Sequence, residues 1–224
     1  RLAIKNAVDR DKFNEIAFNG LGTVGRDHPI PPFDPMHCDE IPLREADPDK
    51  VASHLKQAGM ENAEFELNVA DSLFGGAAAG EAFASLAREN GLNVSARVSP
   101  SDGYWGNVWM VEPWSGSSWA GRPVADMILS IAYKGGGDWN ETFMANDRFD
   151  SLLEMARAES DFAKRKEMYC EMQWILYNDG GQILPVFLPW LDGASSRVKG
   201  LKASPYGAMG YWYWDDMYID DGAA

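Results

Sequence analysis

Residues 64–99 constrain the fold most. Phe65, Leu67 and Val69 alternate with other residues across positions 64–70, as a half-buried strand requires. Residues 77–90 then set Ala79, Phe83, Leu86 and Ala87 on one helical face, and Gly91 follows as a stop. Residues 93–99 return to strand character. Strand, helix and strand in close succession predict a βαβ unit, a parallel pair joined by a right-handed crossover. A chain built around it is expected to be α/β, with a mixed or mainly parallel sheet flanked by helices.

Helix signals recur on both sides of this unit. Ile4, Ala7 and Val8 form an apolar stripe, and Asp9 reads as the N-cap of a helix with Phe13, Ile16 and Ala17 inward, ending at Gly20. Asp47-Pro48, then Val51, Leu55 and Ala58, then Gly59, supply a cap, a first-turn proline, an apolar face and a terminal glycine in order. A helix follows Pro123 and runs to about Tyr133. Asp147 is expected to cap one with Phe149, Leu152, Leu153 and Ala156 inward, and Ser160 a longer one with Phe162, Tyr169, Met172 and Leu176 inward. Residues 22–43, rich in Gly, Pro and Asp, predict an extended loop over the surface. Residues 183–188 read as a short strand. The stretch from Tyr104 to Trp119 has strand-like Val108, Met110 and Val111 among Gly and Ser, and its pattern is ambiguous.

A formal charge of −14 opposes phosphate backbones and anionic lipid, so nucleic acid is not an expected partner. No apolar run reaches the roughly eighteen residues of a membrane span. Cys38 and Cys170 are compatible with one disulfide or none, and the reading adopted is two unpaired small hydrophobes. His28, His37, Cys38 and Asp39 match no metal-ligand frame, so neither metal nor cofactor is assigned. Gly75-Gly76 is not followed by Gly-Lys-Ser/Thr, and no Gly-x-Ser-x-Gly elbow occurs. Arg1 opens directly into helical spacing with no initiator methionine, which suggests a fragment.

Nine tryptophans are the strongest compositional signal. Buried indoles usually build cores. Trp105, Trp119 and Trp139 lie in Gly-rich loops, which bury little and commonly carry binding groups.

A run of motifs resembles a known family. Arg1-Leu2-Ala3-Ile4 with Val8-Asp9-Arg10 is followed by Gly20-x-Gly22, Asp27-His28-Pro29-Ile30, and Asp47-Pro48 leading to Ala58-Gly59. Later come Trp119-Ala120-Gly121-Arg122-Pro123-Val124-Ala125-Asp126, Trp139-Asn140, Phe149-Asp150, Ala163-Lys164-Arg165 and Gly180-Gly181-x-Ile183-x-Pro185-x-Phe187. In this order they resemble the second half of family 5 solute-binding proteins, the peptide, nickel and opine group. The resemblance implies one lobe of a two-lobed periplasmic-binding-protein clamshell. Residues 1–198 would form the C-terminal ligand-binding lobe, and residues 199–224 a tail returning to a missing N-terminal lobe. It further implies a small-molecule ligand, delivery to ABC transporter permease subunits, and a periplasmic or membrane-attached extracellular location.

In the peptide-binding branch, a cleft Trp precedes by three positions an Asp that pairs with the ligand's amino terminus. Here the Trp is Trp119 and the later position is Arg122. A five-donor guanidinium in place of a carboxylate reverses the charge preference, which favours an acid-bearing ligand. Arg122 is expected either to grip that acid beside Trp119 and Trp139 or to pair with Asp126. Asn140 either bonds the ligand or caps its own turn, and Tyr104 and Trp105 would line the opposite wall. A nickel site using His28 or His37 is the alternative within the fold. An α/β enzyme using Asp126 and Glu141 as acid and base is the remaining reading from another class.

Overall fold

In the computed structural model, residues 1–212 and 214–222 are described, the side chain of Trp212 apart. Tyr213, Ala223 and Ala224, part of the expected tail, lie outside the described residues. Two hydrophobic centres organise the chain, one around the βαβ unit and one among the later helices.

The first centre follows the sequence closely. Strand β2 (Phe65–Val69) pairs in parallel with β3 (Val94–Val98), and α4 (Gly76–Glu89) connects them. Helix α4 lays Ala79, Phe83, Ala84, Leu86 and Ala87 against the strands. Gly80 permits this approach, because a Cβ there would stand 2.5 Å from Cγ1 of Val69. Helices α1 (Leu2–Lys5), α2 (Arg10–Phe18) and α3 (Pro48–Gln57) complete the layer. The carboxylates of Asp9 and Asp47 accept from the backbone N–H of Lys12 and Lys50, as N-caps do. The stripe expected on α2 is shifted: Phe13 is buried beside Arg10 and Asn14, whereas Ile16 points to solvent.

The second centre joins α6 (Ala125–Ala132), α7 (Asp147–Ala158) and α8 (Phe162–Asp179) through Leu129, Phe149, Leu152, Leu153, Met172 and Leu176. Burying each such side chain contributes about 1.5–3 kcal/mol, and Leu153→Ala would cost about 2–5 kcal/mol. Each cap lies one residue from the expected position: Asn146 caps α7 and Asp161 caps α8. Phe162, expected inward, is exposed.

Residues 22–43 depart furthest from expectation. They thread the interior, burying Asp27, His28, Ile30, His37, Cys38 and Ile41. Strand β1 (Thr23–Val24) pairs antiparallel with β4 (Val186–Phe187), which fastens the start of this segment to the later chain. Gln173 of α8 fastens its end, donating to the carbonyl of Met36 and accepting from the N–H of Cys38. Cys38 and Cys170 form a disulfide, correcting the unpaired reading; sequence spacing carries no signal for two cysteines 132 residues apart that join the loop to α8. The carbonyls of Leu176 and Tyr177 accept from the buried Nζ of Lys5 at 2.8 and 3.0 Å, so the first helix ties the last turns of α8.

Among the described residues, the strands are divided among three two-stranded sheets rather than gathered in one, and the α/β character holds. The third sheet pairs β5 (Val198–Lys199) with β6 (Tyr218–Ile219), antiparallel. Among the described residues, no helix is long and apolar enough to cross a membrane.

Candidate functional site

The ambiguous stretch after Ser99 builds a recess. Tyr104–Asn107 form a short helix, α5, entered through Gly103 at φ 76°. Tyr104 is not a wall residue as expected. It is 1 % exposed, and its hydroxyl lies between the carbonyls of Asn68 (3.0 Å) and Gly116 (2.8 Å), which anchors α5 to the first centre. Burial pushes its pKa up to about 12, so the phenol stays protonated. The segment around Ser115 runs beside β2, with Asn68 N–H donating to Trp114 and Gly116 N–H donating to Asn68. Ser117, Ser118 and Trp119 follow directly on this segment.

From the other side, the loop after α6 presents Trp139, which is 52 % exposed. Asn140 is buried beneath it and staples the loop. Its Nδ2 donates to the carbonyls of Lys134 (3.1 Å) and Met144 (2.7 Å), and its Oδ1 accepts from Thr142. The capping role therefore fits Asn140, whose amide is already satisfied inside the loop.

Trp105, Trp109, Trp119 and Trp139, with Ser117 and Ser118, line a recess of about 250 Å³. Trp105 and Trp109 meet at 5.6 Å with an interplanar angle of 76°, and Trp119 and Trp139 at 5.9 Å with 53°. Glu141 fixes the arrangement. One carboxylate oxygen accepts from Trp109 Nε1 at 2.6 Å and the other from Trp119 Nε1 at 3.0 Å. Arg122 sits beside the box, its Cζ 5.6 Å from the Trp119 ring centroid and its Nη1 bonded to the carbonyl of Ala120 at 2.9 Å.

Asp126 does not pair with Arg122. Its oxygens accept from Nε and Nη2 of Arg157 at 2.8 and 3.2 Å, an ion pair between α6 and α7. Asp126 and Glu141, the acid and base of the enzyme reading, thus belong to different networks, one ionic and one with two indoles. The imidazoles expected for nickel are sealed in the interior, His28 at 0 % and His37 at 3 % exposure. Burial, then the neighbouring His37 and Arg26, pushes His28 down to about 3 and leaves it neutral. Cys38, Cys170 and Glu40 bring potential ligand atoms within 4.8 Å of one another, but the two sulfurs are bonded to each other.

Of the residues expected at the site, Trp105, Trp119 and Trp139 converge, Arg122 flanks them, and Tyr104, Asn140 and Asp126 serve elsewhere. Trp109, Ser117, Ser118 and Glu141 as an indole clamp were not anticipated. The one available signal was the density of tryptophans between positions 105 and 119.

Residues 1–140 match the family model for bacterial extracellular solute-binding proteins, family 5, middle portion. The chain is 25% identical over 218 residues to heme-binding protein A of Haemophilus influenzae, covering 92% of this chain and 39% of that protein. It is similar in fold to NikZ from Campylobacter jejuni in complex with Ni(L-His), at TM-score 0.79 and 18% identity, over 97% of this chain and 48% of that one. It is also similar to the ABC transporter-associated periplasmic binding protein DppA from Helicobacter pylori in complex with peptide STSA, at TM-score 0.76 and 22% identity, over 98% and 43% respectively. The chain thus spans less than half the length of each of these relatives. With most of its length matched by that family model and its fold shared with these structures, the chain belongs to the family 5 bacterial extracellular solute-binding proteins.

Proposed function

We propose that this chain forms one wall of a ligand cleft that captures a small solute outside the cytoplasm for an ABC-type importer. Residues 1–198 supply the wall, and residues 199–224 lead back to a first lobe that completes the cleft. The reading is carried by one observation: indoles from two separate loops converge on a shared recess, with a guanidinium beside Trp119. Indole faces stack on ligands at little entropic cost, and the Arg122 fork suits a carboxylate on a peptide-like, opine-like or other acid-bearing solute. Exposed Tyr218 and Ile219, which form β6, support a covering lobe at that end. Capture and release by lobe closure is the whole activity in this reading, with no bond made or broken and permease subunits as the receiving partner.

Native mass spectrometry of the full-length protein, purified without refolding, tests the proposal. The expected result is a co-purified small acid that is lost on Trp119→Ala and weakened about tenfold or more on Arg122→Ala. Unchanged ligand occupancy in both variants, with stability lowered, would rule the wall out.

A further inference from the structure

The recess has a charge preference of its own, separate from that of Arg122. Its volume, about 250 Å³, falls below the roughly 300–1,000 Å³ of pockets that enclose a whole ligand, so it suits one end of a solute. Its walls are not a flat slot. Trp105 and Trp109 meet edge to face at 76° and Trp119 and Trp139 are tilted at 53°, whereas parallel rings would be needed to sandwich a planar group.

Glu141 gives that space its sign. Among the described residues, no lysine, arginine or histidine forms an ion pair with this carboxylate, and two indole N–H groups donate to it. An N–H that donates to an anion leaves its ring richer in electrons, and the π face then attracts cations more strongly. The negative charge of Glu141 thus acts on the recess both directly and through the rings of Trp109 and Trp119. The formal charge of −14 has the same sign as Glu141, and the Arg122 guanidinium, 5.6 Å from the Trp119 ring centroid, is a positive charge beside it. Among the described residues, Ser117 and Ser118 are the only non-aromatic lining residues, and neither brings a positive charge. Arg122 is outside the lining, its guanidinium over the Trp119 ring.

We propose that the four-indole recess is a cation cage that receives the alkylated ammonium end of a zwitterionic solute, whose carboxylate lies towards Arg122. This rests on the reading that Trp119, Trp139 and Arg122 face the ligand cleft. The cage contributes through cation–π attraction and the Glu141 charge, and the methyl groups of an alkylated ammonium fill apolar walls that a bare ammonium would leave unmatched.

Two probes of the same shape separate charge from size: trimethylammonioacetate and its carbon isostere tert-butylacetate, titrated into the full-length protein and followed by tryptophan fluorescence and calorimetry. The expected result is binding of the ammonium probe about tenfold or more tighter than the isostere. Glu141→Gln should bring the ratio close to one. Because that change also removes an indole partner, Trp139→Leu is a second variant at an exposed ring, and it should lower the same ratio. Equal affinity for the two probes, or no response to either, overturns the cage. If the cage fails while a co-purified solute is still lost on Trp119→Ala, the cleft reading stands alone. If neither the probes nor the co-purified solute depend on these residues, both readings fall.

Discussion

Arg10 donates through Nη2 to both carboxylate oxygens of Asp27, at 3.0 and 2.9 Å, where the two side chains are 2 % and 0 % exposed. Arg44 adds a contact from Nε at 3.2 Å, and the backbone N–H of Leu184 donates to Asp27 Oδ1 at 3.1 Å. One buried carboxylate therefore joins α2, the internal loop and the approach to β4. Asp27→Asn is expected to destabilise the protein by about 3–5 kcal/mol, because Arg10 would be left charged and uncompensated. Urea denaturation measures it, and a loss under about 1 kcal/mol would contradict this account.

His28 gives stability an acid limb. Its folded-state pKa of about 3 lies below the ordinary 6.5, chiefly through burial. The unfolded chain therefore binds the proton first as pH falls, and stability present above pH 6.5 is lost on the way towards pH 3. The slope should approach about 1.4 kcal/mol per pH unit, or about 2 kcal/mol by pH 5. Denaturant midpoints across this range should flatten in His28→Phe.

Removing the Cys38–Cys170 bridge is expected to cost about 2–5 kcal/mol, since it closes a loop spanning 132 positions. Thermal unfolding with and without a thiol reductant checks this. The Cys38→Ser/Cys170→Ser double variant should melt at the reduced temperature and be indifferent to reductant.

Trp139→Ala separates binding from folding. The ring is half exposed at the mouth of the recess, so stability should change by less than about 1 kcal/mol. Solute affinity should fall by about 2 kcal/mol, or roughly thirtyfold. Calorimetry and a denaturation curve on the same preparation are sufficient, and an unchanged affinity would remove Trp139 from the wall.

Local chemistry explains what could be read in advance. The Asp9 and Asp47 caps, the α4 face and the parallel β2–β3 pair depend on neighbours a few residues apart, and periodicity reports those. The burial of residues 22–43 depends on Arg10 of α2 and Gln173 of α8, which approach from distant helices, so a Pro- and Gly-rich text looked like surface. The site was legible only where exposure was the clue. Trp105 and Trp139 stand out as aromatics in loops. Glu141 was hidden because its partners lie 32 and 22 positions away. Tyr104 and Trp105 are adjacent, and only the tertiary path decides which of them faces inward.

The two indoles held by Glu141 belong to different halves of the molecule: Trp109 packs against the centre around the βαβ unit, and Trp119 against the centre of the later helices. A single side chain thereby acts as a crossbar between residues packed on two separate hydrophobic centres. Any sliding of one half against the other must stretch or break one arm of that crossbar and skew the aperture between the rings. Mutations deep in either half are thus positioned to alter the spacing of these rings by changing alignment alone.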